Sequence, residues 1–147
     1  MKKILMFAAL AVVPFLFSSC TSTSKEDVIY EIGITVSGGG EQYGQQKGES
    51  YDLYKEIMSG ISLENEQWIE SVTNGDSSAA DAKAIAKYDA AEAQIKAKVA
   101  EYQTKIDALQ DDNWHFTFSD KLYLRRTILG GEDKELKSYA IKLSNIK

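Results

Sequence analysis

Apolar residues recur at every second position from Val28 onward: Val28, Tyr30, Ile32, Ile34 and Val36 alternate with Ile29, Glu31, Gly33, Thr35 and Ser37. Successive side chains of a strand point to opposite faces, so the pattern predicts a strand with one buried side. Residues 38–49, GGGEQYGQQKGE, hold five glycines and no aliphatic side chain, and are expected to form a long exposed loop. From Ser50 the period lengthens. Tyr54, Ile57, Met58 and Ile61 fall at helical spacing, and Trp68, Ile69 and Val72 carry a similar face beyond Gly60. One helix weakened at Gly60, or two short ones, fits this stretch. Asn74-Gly75-Asp76-Ser77 breaks the pattern, with Asp76 or Ser77 available as N-cap for the next element.

That element has the clearest periodicity in the chain. Ile85, Tyr88, Ile95, Val99, Tyr102, Ile106 and Leu109 follow steps of three and four, with many alanines and no Gly or Pro before Asn113. About 33 residues of helix would span roughly 50 Å, so the helix is expected to project or to pair with residues 50–73. Ala90, Ala93 and Ala97 are expected near the stripe, and Lys96, Lys98 and Glu101 in water. An unpartnered distal stripe would be a surface for a partner or for self-association. After Asn113, Trp114, Phe116 and Phe118 alternate with polar residues, and the strand either turns at Ser119-Asp120-Lys121 or runs on through Leu122 and Leu124. Gly130-Gly131-Glu132-Asp133 reads as a hairpin turn before the alternating Tyr139, Ile141 and Leu143. The order predicts an α+β fold over residues 28–147. A small antiparallel-rich sheet of three to four strands would carry a helical hairpin, with one long helix, inserted after the first strand.

The first 27 residues belong to a different pattern. Lys2 and Lys3 precede an apolar run from Ile4 to Phe17, and the small residues Ser18 and Ser19 lead to Cys20, the only cysteine. The run is shorter than the roughly 20 residues a bilayer-spanning helix needs and is interrupted by Pro14, so a cleaved signal segment over residues 1–19 is the expectation. Phe17-Ser18-Ser19-Cys20 resembles the lipobox of bacterial lipoproteins. The resemblance implies cleavage between Ser19 and Cys20 and acyl chains on Cys20, which would hold the protein on a membrane. Thr21 in place of an Asp after the cysteine implies transfer to the outer membrane. Lys25-Glu26-Asp27 looks like the signals that send some lipoproteins to the cell surface but lies farther from the cysteine than usual, so the periplasmic face is expected. Residues 21–27 are polar and read as a tether to Cys20 that reaches at most about 25 Å.

With 17 Lys+Arg against 22 Asp+Glu, the chain is acidic and shows no basic stripe, so phosphate-rich partners such as nucleic acid are expected to be repelled. Phosphate-loop, zinc and calcium-loop spacings do not occur, and no cofactor or metal is expected. His115 is the only histidine. It falls on the polar side of its strand, where a solvated residue is the expectation and a general base the alternative. Glu66 and Glu70 would share a helical face. Tyr123, Arg125 and Arg126 form the group most like a binding surface, because aromatic and Arg side chains dominate interface hot spots. The functional expectation is a lipid-anchored envelope protein with a non-catalytic binding or structural domain and a protein or glycan partner. The alternative is an envelope hydrolase or lyase acting on sugar or peptide, its acids and His115 gathered only by folding.

Overall fold

One long strand organises the domain. The computed structural model describes residues 23–35 and 40–147, so the expected signal segment and Cys20 lie outside the described residues, as does part of the glycine-rich stretch. In chain order the elements are β1 (Lys25–Thr35), β2 (Gln42–Gly44), α1 (Glu49–Gly60), β3 (Glu66–Thr73), α2 (Ser78–Asp107), β4 (Trp114–Ile128) and β5 (Asp133–Ser144). The strand beginning at Trp114 does not turn at Ser119: it continues for 15 residues. Its even positions Trp114, Phe116, Phe118, Leu122 and Leu124 are buried, as the alternation requires.

The strands form one antiparallel sheet in the order β3-β1-β4-β5, and β2 takes up the line of β1 along the same edge of β4. Both helices pack on the face that carries Val28, Tyr30, Ile32, Leu122 and Leu124. Among the described residues the other face has no helix over it. The fold class is thus α+β, with five strands, and β3 separates the two helices.

Three sequence expectations need correction. Residues 66–73 form β3, not a continued helix. Trp68 and Val72 fit a helical step, but Trp68, Glu70 and Val72 also alternate with the exposed Gln67, Ile69 and Ser71. The β-branched Ile69, Val72 and Thr73 suit a pleated surface, and the free edge of β1 supplies the hydrogen bonds. Glu66 and Glu70 therefore do not sit side by side on a helix, and Glu66 pairs with Lys87 instead. Second, residues 42–44 of the expected loop form β2, paired with Trp114, His115 and Phe116. Third, Lys25, Glu26 and Asp27 belong to β1 and pair with Thr73, Val72 and Ser71, so they are not tether.

Helix α2 is 30 residues, about 45 Å, and runs the length of the equally long β4. Ala84, Tyr88, Ile95, Tyr102 and Ile106 are buried along it, so the stripe is covered by the sheet and by α1. Self-association through an unpartnered distal stripe has no basis. Ala90, Ala93 and Ala97 are exposed. Ala93 and Ala97 stand two residues from Ile95, about 200° around the helix, and the alanines that pack against the core are Ala80, Ala84 and Ala91. Lys96, Lys98 and Glu101 face solvent as expected.

Candidate functional site

Alternation along β4 separates the three residues that looked like one group. Arg126 points to the covered face, where its Nη1 donates to Asp81 Oδ2 at 2.6 Å and to Ser77 Oγ at 2.7 Å. The Tyr30 hydroxyl donates to the other Asp81 oxygen at 2.7 Å. Burial, reinforced by this carboxylate, pushes the Tyr30 hydroxyl's pKa far above its usual range. The set fastens the first turn of α2 to the centre of the sheet. Arg126 is therefore a structural residue, not part of an exposed binding surface.

Tyr123 and Arg125 lie on the uncovered face and converge on Glu31. The Tyr123 hydroxyl donates to Oε1 at 2.6 Å, and Arg125 Nη2 donates to Oε2 at 2.7 Å. Register explains the meeting: Glu31 stands opposite Arg125, and Gly33 opposite Tyr123. A Cβ on Gly33 would press against the Tyr123 hydroxyl and the Asn65 amide, both at 2.7 Å, so the bare backbone lets the phenol lie across β1. Hydrogen bonds from Tyr123 and then Arg125 hold the Glu31 carboxyl below its usual pKa, and the same carboxylate raises both partners. The Arg125 guanidinium lies 5.5 Å from the Tyr123 ring centroid. The result is an ordered surface with an aromatic ring and a guanidinium whose charge is already balanced, suited to a polar partner of little net charge.

A concavity lies toward the opposite end of β4. Between the end of α2, His115 and the chain's last residues is a cleft of about 600 Å³, with Asp107, Asp111 and Asp112 also on its wall. His115 stacks on Tyr43, ring centroids 4.8 Å apart, so β2 is what builds its surroundings. Asp111 is committed elsewhere. It accepts from the backbone N–H of Glu49 at 2.7 Å and of Ser50 at 3.1 Å, and from Ser50 Oγ at 2.5 Å. These bonds hold its pKa below the usual carboxylate range. They cap α1 from a distant part of the chain, because the residue at the helix start is Gly48, which has no side chain to do so. Among the described residues no group of three or more His, Cys, Asp or Glu is arranged to hold a metal ion, and no helix is long and apolar enough to cross a membrane.

Comparison with known protein families, with curated proteins and with solved structures finds no match. The site thus rests on its own geometry. Glu31 and Gly33 were absent from the sequence-level group, although a glycine inside a strand is a standing signal of close approach.

Proposed function

We propose that this chain is an outer-membrane lipoprotein, anchored on the periplasmic face through Cys20, whose domain recognises another envelope component, protein or glycan, without catalysing a reaction. The uncovered sheet face around Tyr123, Arg125 and Glu31 is the recognition surface. One observation carries the reading: an aromatic ring and a guanidinium are fixed by a shared carboxylate on a sheet face that no helix covers among the described residues. Pre-ordered aromatic and Arg side chains lose little freedom on binding, and this favours association.

Two measurements test it. Cys20→Ser should abolish incorporation of labelled fatty acid and release the protein from the membrane fraction, since a hydroxyl is a far weaker nucleophile than a thiolate. A photo-crosslinking residue at Tyr123 in the anchored protein should yield a discrete adduct in the native envelope, and one at the exposed Lys98 should not. Equal adducts at both positions, or none at Tyr123, would remove the proposed surface.

The cleft supports a second reading, a hydrolase or lyase acting on envelope sugar or peptide, with His115 as general base. Turnover of cell-wall fragments that His115→Ala abolishes would put this reading first.

A further inference from the structure

The start of β1 fixes which end of the domain meets the membrane. Ser24 is pinned to the turn after β3 by two hydrogen bonds, its N–H donating to Asn74 Oδ1 at 3.1 Å and its carbonyl accepting from the Asn74 N–H at 2.8 Å. If Cys20 carries the lipid, only Thr21 to Ser24 separate it from Lys25, the first residue of β1. The Cys20-to-Ser24 span is at most about 14 Å, a third of the length of α2. The domain is therefore held close to the bilayer by one end.

That end is defined by the strand register. Lys25 pairs with Thr73, and Val28 pairs with Ile128, the last residue of β4. The turn between β4 and β5 therefore lies beside the first residues of β1. At its tip Leu129 is 64% exposed, next to Gly130 at φ 78°. An apolar side chain on a tight glycine turn, at the end nearest the anchor, is placed to enter a lipid interface. The neighbouring charges are mainly acidic: Glu26, Asp76, Glu132 and Asp133 outnumber Lys25 and Lys134. Charge would thus oppose an anionic surface within a Debye length, which selects a zwitterionic bilayer.

We propose that the β4–β5 turn is a second, non-covalent membrane contact, with Leu129 inserted into a zwitterionic lipid surface and the His115 cleft directed away from it. The proposal rests on the lipid-anchor reading above. In the lipidated chain the Cys20 thiol is consumed, so Leu129→Cys introduces a single reactive thiol, and Gln110→Cys does the same at the far end. Each variant would be labelled with an environment-sensitive fluorophore and reconstituted into phosphatidylcholine vesicles containing shallow nitroxide lipids. The label at 129 should shift to the blue and lose about half its emission or more, and the label at 110 should be unchanged. Replacing part of the lipid with phosphatidylglycerol at low salt should weaken quenching at 129. Protein that floats with vesicles but shows no quenching at 129, or equal quenching at both positions, overturns this contact and leaves the anchor standing. Protein that does not float overturns the anchor and the contact together.

Discussion

Replacing Asp81 with alanine should destabilise the domain more than removing any exposed charge. The carboxylate receives Tyr30 Oη and Arg126 Nη1, and the Ser77 hydroxyl donates to it at 3.2 Å. Tyr30 is fully buried, and the Asp81 and Arg126 side chains are only 21% and 15% exposed. Removing one partner of a buried ion pair costs about 3–5 kcal/mol, because the remaining charge is uncompensated. Residual solvent at this pair lowers the expected cost to about 2–3 kcal/mol. A domain of this size loses about 4 °C of Tm per kcal/mol, so a fall of roughly 10 °C is expected. Arg126→Met removes the stranded cation, and the double variant should recover about 1–2 kcal/mol relative to the sum of the single changes. Thermal and urea melts of the four proteins give the cycle directly. A loss under about 0.5 kcal/mol for Asp81→Ala, or additive single changes, would mean that the cluster does not fasten α2 to the sheet.

Ile95→Ala removes a side chain that is 3% exposed midway along α2, and urea unfolding should report a loss of about 2–5 kcal/mol. At Gly60 a Cβ would overlap the Tyr102 hydroxyl, so Gly60→Ala should cost about 1–3 kcal/mol by the same measurement, with Tyr102→Phe partly relieving it. Asp111 has a lowered pKa in the folded protein, so its contribution is fully present above the unfolded value near 3.9 and is lost as pH falls through the folded value. The Tm gap between wild type and Asp111→Asn should be widest at neutral pH and close below about pH 4, and a gap that widens in acid would contradict the capping role.

Strands β1 and β4 and helix α2 were legible because each keeps one period over a long run, and β5 was legible from the six alternating residues 139–144. The hairpin turn was legible from its paired glycines. β3 was not, because Trp68 and Val72 satisfy both periods while Ile69 fits only the helical one, and the unpaired edge of β1 decides between them. β2 has no alternation at all: Gln42-Tyr43-Gly44 is a strand because β4 extends past the end of β1 and offers backbone groups there. At the site, the types and adjacency of Tyr123 and Arg125 were visible. The separation of Arg126 from them also follows from strand alternation, since neighbouring residues cannot share a face. Glu31 could not be assigned to them from the sequence, because its place depends on a register between strands far apart in the chain.

The pairing of β1 with β4 also governs when the domain can form. Thr35 and Lys121 bond although they stand 86 positions apart, so the first strand gains its inner neighbour only once almost the whole polypeptide is available. Such non-local closure slows folding, and until it occurs β1 can pair only with β3. A chain emerging N-terminus first would therefore present β1 and β3 long before the sheet could close, leaving their apolar positions to be shielded by other means. Assembly of this protein is thus timed by the arrival of its C-terminal hairpin.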